Sequence, residues 1–215
     1  MSDRDFGDVR REYRREQLNE SMLPEEPFEL FALWIEDARN SGNADPTAMA
    51  LSTVDEKGMP SSRMVLLKRV ESGRLLFFTN YDSRKANEIA AGPNVAAHFY
   101  WPELERQVRF SGTAAKISET DSDRYFQERP YESKIAASVS PQSREIPGRA
   151  YLEEAFSSEL KKYKKADHIP RPPYWGGYAI SPFRIEFWQG GNHRLHDRIE
   201  YALTGERWSR IRLAP

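Results

Sequence analysis

Residues Ala48–Thr79 read AMALSTVDEKGMPSSRMVLLKRVESGRLLFFT. From Ala48 the period changes from helical to that of a strand, which runs to Val54, and Asp55–Gly58 carries turn residues. Pro60–Val70 is a second strand, Glu71-Ser72-Gly73 makes a second turn, and Arg74–Thr79 is a third strand. Turns this short exclude the crossover helix that parallel neighbours require, so the three strands are antiparallel. Two further strands follow at Val95–Tyr100 and Gln107–Ile117, and the chain ends with strands at Tyr178–Phe187, Arg198–Leu203 and Arg207–Leu213. The pattern predicts a mainly β protein with flanking helices (α+β), whose antiparallel sheet closes into a barrel.

The helices fall around this sheet. Pro27–Ser41 has proline at its first position, an apolar face of Phe28, Phe31, Trp34, Ile35 and Ala38, and Gly42 to end it. Ser83 caps a short helix to Ala91, closed by Gly92-Pro93. Ser118 with Asp121 resembles a capping box for a helix to about Arg129, and Glu132–Ser138 is another. Gly148–Lys165 aligns Leu152, Ala155, Phe156, Leu160 and Tyr163, and the proline-rich Ile169–Pro173 is a connector. Residues 1–20, rich in charges of both signs, are expected to be a short surface helix or, as termini order only when tied down, a mobile N-terminal arm, with 21–215 as a single domain.

The chain has 215 residues, 39% of them hydrophobic, a net charge of −1 and no cysteine. Disulfides, thiolate metal sites and cysteine nucleophiles are thereby excluded. No apolar run suits a signal peptide or membrane helix, so the expected location is cytoplasmic. A charge near zero gives no field for nucleic acid or membrane, so any anion binding is local. Neither a dinucleotide fingerprint, a P-loop nor a hydrolase elbow occurs.

Local cations do occur. Arg63-Met64-Val65-Leu66-Leu67-Lys68 flanks an apolar run with positive charge, and Arg84 and Lys85 occupy the first turn of a helix, where the macrodipole favours anions. A bound phosphate resolves that conflict. Tyr125 and Arg129 share a helix face with Ser133 just beyond, a weaker candidate for a second phosphate cradle. Gln107, Gln142 and Ser143 are neutral donors able to read a heterocycle edge, and Phe78 and Trp188 are flat walls. In FRIEFWQGGNHRLHDR, residues 183–198, an extended backbone would set Arg194, His196 and Arg198 on one face, suited to a planar anion. His193 and His196 do not make a metal site, because a third ligand is wanting and the neighbouring arginines repel cations.

These stretches together resemble the pyridoxine/pyridoxamine 5′-phosphate oxidase family. The resemblance is carried by Arg10-Arg11-Glu12-Tyr13, Ala44–Met49, Arg63–Lys68, Phe78-Thr79-Asn80, Ser83–Ala86, Glu105–Val108, Gln142-Ser143, Phe187–Gly191 with His193–Arg198, and the terminal Arg212–Pro215. It implies a split β-barrel homodimer with FMN at the subunit interface. It further implies flavin contacts from Arg63, Met64, Val65, Leu66, Phe78, Thr79, Arg84, Lys85, Gln107, Gln142, Ser143, Trp188 and Arg198. Lys68, Tyr125, Arg129 and Ser133 would cradle the substrate phosphate, with Arg194 and His196 on the pyridine ring and Arg10 and Tyr13 on a closing arm. Asp45 is a candidate proton acceptor, although an Asp before proline is more often a turn former.

The reaction implied is oxidation of the C4′ amine or alcohol of pyridoxamine or pyridoxine 5′-phosphate to the aldehyde, with hydride passing to flavin N5 and O₂ becoming H₂O₂. A non-catalytic flavin or pyridoxal-phosphate binding module on the same barrel is the competing reading. One geometric difficulty accompanies the resemblance. Arg63 and Lys68, five apart on one strand, would point to opposite faces unless the strand is bulged or the site wraps round it.

Overall fold

The computed structural model describes residues 18–164 and 168–215. Arg10 and Tyr13 lie outside the described residues, as does most of the expected arm. Five helices are described, α1 (Pro27–Asn40), α2 (Arg84–Ala91), α3 (Glu119–Glu128), α4 (Tyr131–Val139) and α5 (Arg149–Tyr163). The strands are β1 (Ala48–Val54), β2 (Pro60–Leu66), β3 (Arg69–Glu71), β4 (Arg74–Asn80), β5 (Asn94–Trp101), β6 (Arg106–Lys116), β7 (Trp175–Gln189), β8 (Asp197–Thr204) and β9 (Arg207–Leu213). They form one sheet in the order β2-β1-β5-β6-β7-β4-β3, with β8 pairing β7 and β9 pairing β8. The first and last strands of that path, β2 and β3, are joined by only Leu67 and Lys68, so the sheet returns on itself as in a barrel.

That junction corrects the expectation of one strand over Pro60–Val70. β2 lies beside β1, whereas β3 pairs antiparallel with β4, so the chain changes partner between them. The Lys68 amide donates to Leu76 O at 2.8 Å as the new pairing begins. Leu67 turns into the core while Lys68 stays exposed.

The chain packs as two compact units. One comprises residues 18–48, 98–111 and 183–215. Its core is aromatic: Phe31 of α1 meets Phe99 at 5.1 Å and Phe110 at 4.8 Å, and Trp34 meets Phe187 at 5.2 Å between ring centroids. Each such ring contributes roughly 1.5–3 kcal/mol by burial, which explains the periodic Phe31/Trp34/Ala38 face. At the start of the described chain, Leu18 N–H donates to Asp197 and Glu20 pairs with Arg212.

The second unit comprises residues 49–97, 112–164 and 168–182. In it β4 pairs antiparallel with β7, Phe78 opposite Gly177 and Asn80 opposite Trp175. A Cβ on Gly177 would lie 2.8 Å from the Phe78 ring and 2.4 Å from Ile117, so the bare backbone makes room for that ring. Phe78, Tyr125, Phe156, Leu160 and Tyr163 pack on a cluster of Phe126, Ile135, Ile169 and Trp175. Phe156, Leu160 and Tyr163 of the apolar face read from α5 are thus placed. Ser118 accepts from Asp121 N at 3.0 Å, as the capping-box reading requires. Ser83 stands at the N-cap of α2, where its carbonyl accepts from Ala86 N at 3.0 Å, but its hydroxyl makes no capping bond and donates to Asn80 O at 2.7 Å.

Candidate active site

Where the chain leaves β2, a cavity of about 570 Å³ opens in the second unit. Its walls are Ser61–Leu66, Lys68, Phe78, Thr79, Arg84, Lys85, Gln142 and Ser143. Consecutive residues Ser61–Leu66 line it, so both parities of β2 face the cavity and it wraps round the strand, which removes the difficulty of Arg63 and Lys68 sharing one site.

The cations in this cavity are held in two ways. Lys85 is buried, and its ammonium donates to Gln142 Oε1 at 2.8 Å, Thr79 Oγ1 at 3.0 Å and Ser83 Oγ at 3.2 Å, all neutral acceptors. Burial, with the charge of Arg63, lowers its pKa to about 8, against a raising influence of Glu88. Gln142 is committed as an acceptor to Lys85 and Thr79, so its amide NH₂ remains the donor. Ser143 has a left-handed backbone, φ 71°.

Arg63 and Arg84 converge instead on Glu88, a buried carboxylate that the sequence reading missed. Its Oε2 accepts from Arg63 Nη2 at 3.1 Å and Ser61 Oγ at 2.6 Å, and its Oε1 from Arg84 Nε at 2.8 Å. Thr53 also donates to it, and Arg63 donates to Leu51 O at 3.0 Å. Burial alone would raise the pKa of Glu88, but these hydrogen bonds and the charge of Arg63 outweigh it and hold the group at about 2. The signal for Glu88 was present as its four-residue spacing from Arg84 on α2.

A second cavity of about 300 Å³ shares Lys68, Phe78, Thr79 and Gln142 with the first, and adds Tyr125, Arg129 and Trp175. Phe78 stacks on Tyr125 with centroids 3.7 Å apart. Arg129 lies over the Trp175 ring at 4.5 Å, and burial lowers its pKa. Its Nη1 is the one buried side-chain nitrogen or oxygen among the described residues with no hydrogen-bond partner. Such an orphan donor costs about 1–3 kcal/mol unless a ligand accepts from it. Ser133, half-buried on the first turn of α4, is not among these walls.

The remaining candidates belong to the first unit. The expectation of an extended backbone through Arg194, His196 and Arg198 is overturned. Residues Asn192–Arg194 form a single helical turn, with left-handed φ of 55° at His193 and 63° at Arg194. Gly191 explains the tight turn: a Cβ there would sit 2.2 Å from Leu195 O. Its N–H donates to His196 Nδ1 at 3.1 Å, and that imidazole lies 4.7 Å from the Trp188 ring. Burial, then the charge of Arg194, lowers the pKa of His196.

Arg198 donates through Nε and Nη2 to the two oxygens of Glu186, at 3.0 and 3.1 Å, and Arg109 binds the same carboxylate. Glu186 is buried and was also missed. Gln107 Oε1 bonds His98 Nε2 at 3.0 Å. Asp45 is exposed in a turn in which its N–H donates to Asn43 and its carbonyl accepts from Ala48 N.

Known proteins resemble this chain along nearly its whole length. Residues 35–159 match the family model for pyridoxamine 5′-phosphate oxidase. Residues 175–215 match that for the pyridoxine 5′-phosphate oxidase C-terminal dimerisation region. The chain is 49% identical over 212 residues to a pyridoxine/pyridoxamine 5′-phosphate oxidase of Legionella pneumophila, covering 99% of this chain and 98% of that one. It is 46% identical over 213 residues to one of Bacteroides thetaiotaomicron, covering 99% and 100%. Among solved structures, PhzG from Burkholderia lata 383, in complex with tetrahydrophenazine-1-carboxylic acid, superposes with a TM-score of 0.86 at 30% identity, covering 91% and 95%. A pyridoxamine 5′-phosphate oxidase-related, FMN binding protein of Nostoc punctiforme gives 0.71 at 17% identity over 90% of this chain and 100% of its own, a likeness of fold.

Proposed function

The chain belongs to the pyridoxine/pyridoxamine 5′-phosphate oxidase family, and from that premise we propose how its residues carry out the oxidation of pyridoxamine and pyridoxine 5′-phosphates to pyridoxal 5′-phosphate with FMN. For the amine, substrate, O₂ and water give the aldehyde, ammonia and H₂O₂. The orphan Nη1 of Arg129, in a cavity shared with Lys68 and Tyr125, is the observation that carries the substrate assignment. It is the donor that a phosphate ester would satisfy.

The larger cavity suits the phosphate-bearing cofactor. A buried ammonium surrounded by neutral acceptors lies beside two arginines tied to a carboxylate, and the volume falls within the range of small-molecule sites. Arg63, Arg84, Lys85, Thr79, Gln142 and Ser143 would hold FMN. The two-electron chemistry would be the flavin's, with hydride leaving C4′ and O₂ ending as H₂O₂.

The protein's share is placement. Lys68, Tyr125 and Arg129 fix the phosphate end of the substrate, and Arg194 and His196 act on the pyridine ring. With Nδ1 of His196 accepting from Gly191, its Nε2 carries the proton and can donate to a ring substituent. We assign FMN to the interface of a homodimer, since Trp188 and Arg198, two of the expected flavin contacts, fall within the matched dimerisation region.

The test is direct. Purified protein is expected to be yellow, and adding pyridoxamine 5′-phosphate in air to consume O₂ and release peroxide. A yellow but inert protein would instead be a binding module, and a colourless one would refute the reading.

Lys85 adds a pH signature. Its folded pKa of about 8 lies below the ordinary 10.5, so between these values the folded apoprotein binds fewer protons than the unfolded chain. Folding stability from this group therefore rises with pH across that window, whereas affinity for an anion falls as the ammonium is lost. FMN affinity of the apoprotein, followed by quenching of flavin fluorescence, should fall above pH 8 by up to about tenfold per unit. Lys85→Met should flatten that slope.

A further inference from the structure

Arg129 is a cation in a half-buried site that no carboxylate neutralises. Its neighbour Glu128 is taken by Arg69, whose Nη2 reaches both carboxylate oxygens at 2.8 and 2.7 Å. Asp123 is taken by Arg171, at 2.6 Å. What lies against the guanidinium is aromatic: the Trp175 ring at 4.5 Å and the Phe126 ring at 5.7 Å. An indole face within about 6 Å attracts a cation through its quadrupole, most strongly where water is excluded. It does so without contributing a negative charge that a phosphate would have to displace.

The indole itself is fixed. It stacks on Phe78 at 5.5 Å and 14°, lies nearly parallel to Tyr125 at 6.3 Å and 6°, and takes the Phe126 ring edge-on at 5.2 Å. Its backbone is pinned at both ends, with Trp175 N–H donating to Pro172 O at 3.0 Å and Trp175 O accepting from Arg171 Nη1 at 2.6 Å. Trp175 stands opposite Asn80 and two residues before Gly177, the partner of Phe78, which places both rings on one face of the β4–β7 pair.

We propose that Trp175 is a positioning residue for the substrate phosphate: its indole carries the Arg129 guanidinium in place of a carboxylate, leaving that charge and the Nη1 donor for the phosphate ester. This rests on reading the Lys68–Tyr125–Arg129 cavity as the phosphate cradle. A carboxylate in the same place would satisfy Arg129 in the absence of substrate and repel the phosphate when it arrived. An aliphatic side chain would leave the guanidinium free to swing out to water.

The full-length holoenzyme tests this, with Trp175→Leu and Trp175→Phe assayed against pyridoxamine 5′-phosphate and against pyridoxamine, which lacks the phosphate. Trp175→Leu should raise KM for the phosphorylated substrate roughly tenfold to thirtyfold, the scale of a desolvated cation–π contact. Its kcat should stay within about twofold, so that the preference for the phosphorylated substrate shrinks by the same factor. Trp175→Phe, which keeps a smaller aromatic face, should recover most of the loss. A packing defect alone would lower kcat or flavin content and leave the preference between the two substrates unchanged, and that result overturns the proposal.

Should Trp175→Leu fail to fold, Trp175→Phe decides through inhibition by inorganic phosphate. The inhibition constant should rise by about two- to fivefold, and an unchanged constant overturns the proposal. If the wild-type enzyme itself shows no preference for the phosphorylated substrate and no inhibition by phosphate, the cradle assignment has failed, a result distinguishable from failure of Trp175's role.

Discussion

Arg129→Leu is expected to raise KM for pyridoxamine 5′-phosphate by about two orders of magnitude while leaving FMN affinity unchanged. Each charge-assisted hydrogen bond to a phosphate is worth roughly 1.5–3 kcal/mol. Losing one or two of them, with Lys68 and Tyr125 still present, corresponds to about that factor. The same substitution should not cost stability. The wild-type protein keeps Nη1 buried without a partner, an expense of about 1–3 kcal/mol that leucine removes. Against this stands the lost stacking over Trp175, about 1–2 kcal/mol at a partly desolvated site. The two nearly cancel, so the melting temperature of the substrate-free protein should stay within a few degrees of wild type or rise. Steady-state oxygen uptake and a thermal melt on the same preparation check both halves. A large fall in melting temperature with an unchanged KM would mean that Arg129 serves the fold rather than the substrate.

Strand and helix positions were largely legible in the sequence, because periodicity reports burial and burial fixes the strands. Ala48–Val54 carries one buried face, and α1 shows its Phe31/Trp34/Ala38 stripe directly. The break at Leu67-Lys68 was not legible. The apolar run Met64–Leu67 and the cations after it carry no turn residue, and only the change of partner from β1 to β4, a long-range event, ends one strand and starts the next.

The same distinction separates the site residues that were found from those that were missed. Cations in unusual places, such as Arg84 and Lys85 at a helix start, announce themselves locally. Glu186 does not, and the spacing of Glu88 from Arg84 shows a partner but not burial, since a Glu in a helix or strand is usually solvated. Only the fold shows that each is buried and gathers two arginines, Arg63 with Arg84 and Arg109 with Arg198. These carboxylates tie the guanidiniums down where they would otherwise repel one another.

Arg194 presents the sharpest conflict between local preference and observed structure, and its substitutions should separate stability from turnover. At φ 63° an L-residue pays about 1–2 kcal/mol that glycine does not. The preceding residue, His193, is left-handed as well, so two such residues follow each other without a glycine. Strain of this kind persists where a side chain has work to do at that spot. Arg194→Gly should therefore match or exceed the wild type in stability, the relief of strain outweighing about 0.5–1 kcal/mol of added chain entropy. Arg194→Ala keeps the unfavourable backbone and should be the less stable of the two variants by about 1 kcal/mol.

Turnover should behave differently. Both variants lose the guanidinium assigned to the pyridine ring, so both should drop by about a hundredfold, the cost of a substrate held loosely against its reaction partner. Flavin content should be unaffected. Urea melts, the absorbance of bound flavin and initial rates measure the three quantities separately. A glycine variant with full turnover removes Arg194 from the ring. A glycine variant less stable than the alanine one would mean that the backbone at this position is not left-handed, and the turn that presents His196 would have to be redrawn.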